Sequence, residues 1–436
     1  DRMKPGQRAG LIGTNTIRQN YSRLGGLDYI VGNGGTITEA VSSMYWPGEA
    51  SLHVSIVNWI KGEQSGSKRL YIHEGTDVET GWRYDDFQKI PSSLSFVTDV
   101  TSAVDLSANK RGGCYQGQTH GHKAFLLPPD QARTLIRENP SYASVLKPFL
   151  ISDDLMGELG GKPSRYVIDF SGSDLLHAQK FGKLYKRIEA AVLPERQKAA
   201  DDEAKRNLTL AGTGKRGNQH HANFLKTWWQ MSYPRAELMG RLASLPRYIV
   251  CGQVTKRPIF DFVSPSINPN AALTVFAHAD DYTFGILQST VHWLWFTNRC
   301  STLTERFRYT SNTVFDSFPW PQSPSLKQVK AVAAAAVALR ELRRELCKEH
   351  GLGLRARYRA IELPGVHPLK TATAKLDKAV HASYGLQGNE DVRTFLLALN
   401  HSLAKDEADG NPIMGPGLPD AYANTPGLIT SDCIAP

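Results

Sequence analysis

The chain has 436 residues, 41% hydrophobic and 21% charged, an ordinary globular balance that excludes disorder over its whole length. That length predicts two or three domains, each able to bury its own core. With 51 Lys and Arg against 42 Asp and Glu the net charge is +9, which suits a solvated surface as well as a nucleic-acid partner.

Residues 9–13 form a short apolar run ending in Gly13-Thr14-Asn15-Thr16, a strand followed by a turn that could cap a helix at Thr16. Residues 27–31 predict another short strand, closed by Gly32-Asn33-Gly34-Gly35. Residues 52–60 alternate and are β-branched, a strand pattern, and residues 68–73 predict a further strand. The turn over 62–67 between them predicts an antiparallel hairpin.

Residues 81–150 are irregular, with a Gly-rich hinge at Arg111-Gly112-Gly113 and a helix over 129–138 that begins on Pro129 and Asp130. Strands are expected over 165–170, 247–253 and 259–263, and helices over 184–203 and 224–239. The charged, Gly-rich stretch 202–219 reads as a surface loop. Asp280-Asp281 precede an apolar helix over 282–297, where the macrodipole favours acidic residues. A long Ala-rich helix over 326–349 stops at Gly351, and helices over 369–384 and 390–404 follow. Beyond Gly410, Pro and Gly predict a disordered tail.

Few motifs of independent chemistry are present. Gly32-Asn33-Gly34-Gly35 lacks the GxGxxG spacing and reads as a tight turn, and no Walker motif occurs. His120 with His122 and His220 with His221 have no carboxylate or Cys at ligand spacing, so surface-loop histidines are expected and no metal. No GxSxG, HExxH or carboxylate pair supports a hydrolase. Cys114, Cys251, Cys300, Cys347 and Cys433 stand far apart without a CxxC pair, which fits a reducing cytosol. No apolar run approaches about 18 residues, so no membrane span is expected, and no signal peptide is read.

Three dense words stand out. They are Leu11-Ile12-Gly13-Thr14-Asn15-Thr16-Ile17-Arg18-Gln19; Trp46-Pro47-Gly48-Glu49-Ala50 leading into His53-Val54-Ser55-Ile56-Val57-Asn58-Trp59; and the stretch from Phe307-Arg308-Tyr309 through Asp316-Ser317-Phe318-Pro319-Trp320-Pro321. At these residues, from residue 1 to about 405, the chain resembles the MmeI-like adenine-specific DNA methyltransferases. In that family the first word follows the catalytic Asn-Pro-Pro-aromatic motif, the second forms the last strands of the methyltransferase sheet, and the third closes the recognition domain.

The resemblance implies an α/β fold. Residues 1–110 would be the C-terminal half of a Rossmann-like methyltransferase sheet, with 9–13 an interior strand of a mostly parallel array. A mixed α+β target-recognition domain would span 111–322, C-terminal helices 323–410, and the disordered tail 411–436. The family's S-adenosylmethionine loop and Asn-Pro-Pro-aromatic motif would precede residue 1, and neither occurs here; Leu127-Pro128-Pro129-Asp130 lacks both the Asn and the aromatic. The implied protein is a site-specific DNA adenine N6-methyltransferase of a restriction-modification or phage-defence system in a bacterial cytoplasm, its cofactor S-adenosylmethionine. This chain alone is expected to be inactive. Its partners would be double-stranded DNA and either the missing N-terminal half or a separate methyltransferase or nuclease chain. The alternative is a non-catalytic DNA-binding specificity subunit.

A methyltransferase must flip its target base and hold it against an aromatic face. Trp46, on a Pro-Gly turn before a strand, resembles that stacking aromatic. Lys123, Arg235, Lys256 and Arg257 suit phosphate contacts, while Glu305, Arg306, Arg308 and Tyr309 suit base readout in the major groove. Trp293, Trp295, Phe315, Phe318 and Trp320 have apolar neighbours and are expected in the core.

Overall fold

Five strands form one mixed sheet: β1 (Arg8–Thr14), β2 (Gly35–Tyr45), β3 (His53–Lys61), β4 (Lys68–His73) and β5 (Trp82–Phe87), in the order β1-β3-β2-β4-β5. The computed structural model describes the chain outside residues 1–2, 19, 48–51, 74, 76–78, 96–99, 111–112, 158–160, 213–215, 304–305, 351–352, 356–357, 359–364 and 387–389. The sheet belongs to a unit made of residues 1–104, 297–301 and 390–401; a second unit holds 105–296, 302–389 and 402–436.

In the first unit β2 lies at the centre, antiparallel to β3 and parallel to β4. It buries Ile37, Ala40, Ser42 and Met44, with a register shift between Ile37 and Glu39 that restores the inward face after one irregular step. Leu27, Val57, Leu70, Ile90 and Leu94 complete its core. Asn400 closes the unit with a reciprocal pair, accepting from Val104 N at 2.9 Å and donating to Val104 O at 2.9 Å.

Three expectations are corrected here. Residues 9–13 do not form an interior parallel strand: β1 is an edge strand, antiparallel to β3, with Leu11 38% and Ile12 56% exposed. Residues 27–31 are helical, in a wide turn Leu24–Asp28 running into Tyr29–Gly32, because a short apolar run specifies burial but not the period that achieves it. The strands over 53–61 and 68–73 are not hairpin partners either. β2 separates them, and β4 pairs with β2 and β5.

The second unit contains two four-stranded sheets. One runs β12 (Asp261–Val263), β10 (Tyr248–Gly252), β14 (Leu273–Phe276), β6 (Cys114–Gln116); the other runs β13 (Asn268–Pro269), β8 (Leu146–Leu150), β9 (Tyr166–Ile168), β7 (Leu126–Leu127). Every residue of β10 and β14 is buried, as a strand covered on both faces requires. A short strand, β11 (Val254–Thr255), continues from β10 after Gln253.

Helix ends differ from the sequence expectation for local reasons. Gly182–Ala211 is one helix of 30 residues, so the loop expected from 202 begins only after Ala211. In its extra turns Lys205 and Arg206, both good helix formers, stand exposed on the solvated face. The helix expected over 224–239 is two, His220–Lys226 and Ala236–Ala243, with Pro234 in the break. The apolar helix after Asp280 also divides, into Asp281–Gln288 and Thr290–Arg299, with Ser289 extended at ψ 161°. Both pieces are capped: Asp280 accepts from Thr283 N at 2.6 Å, and Asp377 accepts from Thr290 N at 2.7 Å.

The tail expected to be disordered packs onto this unit. Ile434 bridges Val263, donating its N–H to Phe262 O and accepting from Ser264 N, and Leu428 is buried. Arg247 and Arg340, each 1% exposed, need buried counter-charges, and Asp432 and Asp281 supply them at 2.6 to 3.0 Å. The helix Leu326–His350 carries Arg340 and Arg343, so it is bonded into the same core rather than forming a region apart. Among the described residues no helix is long and apolar enough to cross a membrane.

Candidate nucleic-acid interface

The strand Arg306–Arg308 pairs antiparallel with β11, Arg308 opposite Val254 and Phe307 opposite Thr255. Alternation then decides which side chains face outward. Phe307 meets the Phe296 ring at 5.7 Å, and Tyr309 stacks on the same ring at 5.3 Å. Arg308 between them is exposed, and among the described residues no group pairs with its guanidinium. It lines an open cleft of about 180 Å³ with Gln116, Gln253, Thr310, Ser311 and Asn312.

The cleft floor is polar and connected. Arg235 donates from Nη2 to Gln116 Oε1 at 3.0 Å. Gln116 donates from Nε2 to Ala271 O at 3.0 Å and to Gln253 Oε1 at 3.4 Å. Gln253 is held on both sides by its backbone, donating to Ala272 O and accepting from Tyr309 N. Arg235 has a left-handed backbone, φ 55°, and its guanidinium lies 5.3 Å from the Tyr233 ring.

A second basic site lies beyond the other end of β11. Lys256 and Arg257 line a cavity of about 370 Å³ with Ser152, Asp153, Arg355 and Tyr358. Arg257 is half-buried, its guanidinium 5.1 Å from the Trp293 ring and 5.8 Å from Tyr358, so two aromatic faces fix its direction. Lys256 is exposed.

The family of the MmeI target recognition domain matches residues 257–322. Residues 257–322 are thus similar to the MmeI target recognition domain. Its fold is also that of the type IIL restriction-modification enzyme MmeI, solved in complex with DNA: TM-score 0.71 at 22% identity, over 91% of this chain and 50% of that one. The type IIG restriction endonuclease BpuSI aligns at TM-score 0.31 and 8% identity, over 91% of this chain and 48% of that one, and bears no weight. The chain therefore spans about half the length of the MmeI structure. No curated protein matches it in sequence.

The MmeI-type segment includes Arg257 and Arg308 but not Gln116 and Gln253, which line the cleft with Arg308, Arg235, which bonds to Gln116, or Lys256, which lines the cavity with Arg257. Of the residues expected to read bases, Arg308 is in the open cleft and Arg306 opens its strand; Glu305 lies outside the described residues. Tyr309 is corrected. It is 1% exposed, with its hydroxyl 3.0 Å from His292 Nε2, and a side chain so enclosed belongs to the core. Of the phosphate candidates, Lys123 stands exposed on the turn Lys123–Phe125, while Arg235 is engaged with Gln116. Trp46, in the first unit, is 37% exposed, and its backbone N–H donates to Leu52 O at 2.9 Å where β2 ends.

Trp295, Phe315, Phe318 and Trp320 are buried, but Trp293 is only half-buried and faces Arg257. The amides of Gln116 and Gln253 were not evident in sequence, because nothing local joins residues 137 positions apart. The His pairs have other engagements: His122 accepts from Ala124 N and lies 3.2 Å from Glu195, and His120 packs edge-on to Phe149. Among the described residues no three His, Cys, Asp or Glu side chains converge as a metal site.

The glycine turn does not fit S-adenosylmethionine. Gly32 to Gly35 runs from a helix into a strand, opposite to a cradle that follows a strand and opens a helix. A Cβ at Gly35 would meet Ile30 O at 2.7 Å, so the turn closes on its own helix.

Proposed function

We propose that this chain finds and holds the recognition sequence for a site-specific DNA adenine N6-methyltransferase of a restriction-modification or phage-defence system. The observation that carries the reading is the MmeI-type recognition segment, whose Arg308 stands unpaired among the described residues at the mouth of a polar cleft. A guanidinium there can donate two parallel hydrogen bonds to a base edge. Lys123, Lys256 and Arg257 hold the duplex by its phosphates, which fixes register without reading sequence. Trp46 offers an exposed indole on which a flipped base stacks.

Methyl transfer itself is assigned to no residue here. The 436 residues hold no Asn-Pro-Pro-aromatic string, and the turn Gly32 to Gly35 is not a cofactor cradle, so we expect the chain alone to transfer no labelled methyl group to DNA. The same observation favours a second reading, a binding-only specificity subunit that a partner chain completes.

Binding to duplex DNA measured by anisotropy from about 50 to 200 mM salt tests the proposal. Three phosphate contacts predict a slope of log affinity against log salt of about −2.7. Lys256→Ala with Arg257→Ala should weaken all sequences alike and flatten that slope by about 2. Arg308→Ala should relax one base position by about 1–3 kcal/mol. Absent binding at about 50 mM salt, or binding indifferent to salt, would overturn the reading.

A further inference from the structure

The polarity of the cleft is set by a chain of three side chains. Arg235 can only donate, so the Gln116 atom facing it is the carbonyl oxygen. Ala271 O can only accept, so the Gln116 atom facing it is the amide nitrogen. These two contacts fix the Gln116 amide without ambiguity of O and N. The remaining Gln116 N–H points at Gln253, whose facing atom must then be its oxygen, at 3.4 Å. That contact takes up the Gln253 carbonyl oxygen, so the NH2, which has no partner among the described residues, is what this cleft-lining side chain can offer beside the Arg308 guanidinium. Both groups are donors.

We propose that Arg235 and Gln116 are positioning residues that hold Gln253 as a hydrogen-bond donor, so that the cleft of Gln253 and Arg308 selects a base edge made of acceptors, the guanine N7 and O6 in the major groove. This rests on the reading of the chain as a DNA-recognition module. Among the four base pairs only guanine offers two adjacent acceptors there, whereas adenine and cytosine would each turn an NH2 against the donors. A donor facing a donor leaves both unpaired, which is the larger part of discrimination. The left-handed backbone of Arg235 fits this role: a non-Gly residue holds φ 55° only where its surroundings determine it, and the Gln116 bond and the Tyr233 ring do so.

Selection of bound sequences from randomised duplexes by the full chain tests the assignment. Wild type should enrich guanine at one position, by about 10-fold or more over the other bases. Gln253→Glu, which replaces the donor by an acceptor, should transfer that preference to cytosine, whose N4 donates. Gln116→Glu never touches DNA in this scheme. It still accepts from Arg235 but can no longer donate, so the Gln253 amide turns over and the guanine preference should fall or invert. A merely structural role for Gln116 would weaken every sequence alike instead. Arg235→Gly, which relieves the left-handed backbone, should lose the guanine preference while keeping the salt slope and the melting temperature. Absence of salt-dependent binding in wild type would overturn the DNA reading itself, and this inference with it. Binding that persists with an unchanged enriched site in both Glu variants, or with uniform weakening and a flatter salt slope, would mean that the cleft takes a phosphate. That result would overturn the inference alone.

Discussion

His292 is wholly enclosed, and loss of hydration pushes its pKa down to about 3, so the ring is neutral at physiological pH. It shares a hydrogen bond with the Tyr309 hydroxyl, and the two rings stack. Tyr309→Phe keeps the ring contacts but strands a buried nitrogen, so it should destabilise the chain by about 1–3 kcal/mol in urea unfolding. Its enriched DNA site should stay unchanged; a relaxed base position with unaltered stability would return Tyr309 to the DNA face. The sign with pH follows from the same burial. Below about pH 6.5 the unfolded chain protonates His292 and the folded chain does not, so stability from this residue falls as pH drops toward 3. At pH 5 the loss is about 2 kcal/mol, and His292→Asn should lack that part of the acid sensitivity.

At the level of elements, what local pattern can specify was legible and what depends on pairing was not. The helix over 129–138, the strand over 68–73 and the recognition word around Phe307 to Pro321 lie where periodicity and motif put them. β2 escaped because three of its inward residues, Gly35, Ala40 and Ser42, are small or polar and stand alongside Ile37 and Met44, and a central strand need not look apolar throughout when its neighbours are. β1 misled for the converse reason. Its apolar run resembles an interior strand, yet Leu11 and Ile12 face outward from a strand bonded on one side. The cleft was half legible: Arg308 is a local reading, but the Gln116, Gln253 and Arg235 contacts need three distant segments to meet. The edge position carries its own prediction. In hydrogen exchange followed by mass spectrometry, a peptide covering β1 should exchange before one covering β2, which is bonded on both sides. Equal protection of the two peptides would require a further strand against β1.

Across the second unit the same question becomes how one charged cluster joins segments far apart in the chain. Asp281 opens a helix, Arg247 precedes β10, Arg340 and Arg344 lie on the Leu326–His350 helix, and Asp432 comes from the tail. Two buried guanidinium groups face two carboxylates, with Arg247 also 3.5 Å from the centre of the Phe262 ring. Such a cluster is weak evidence of net stability while whole, but removing one partner leaves an uncompensated buried charge at a loss of about 3–5 kcal/mol. Cutting the chain after Gly427 removes Asp432, Thr430 and the Ile434 bridge together, and should lower unfolding stability by at least that amount. Asp432→Asn keeps the tail and its backbone bonds, and so isolates the charge. Burial raises the Asp432 pKa, but bonds from Arg340, Thr430 and Arg344 outweigh it and hold the carboxyl well below the usual range. A depressed carboxylate contributes fully above its unfolded pKa of about 4 and loses that contribution only as pH falls further. The stability difference between wild type and Asp432→Asn should therefore be the same at pH 8 and pH 5, and shrink only in stronger acid. A difference that is already gone at pH 5, or a tail removed by protease with no change in melting temperature, would mean that Asp432 does not neutralise the buried arginines.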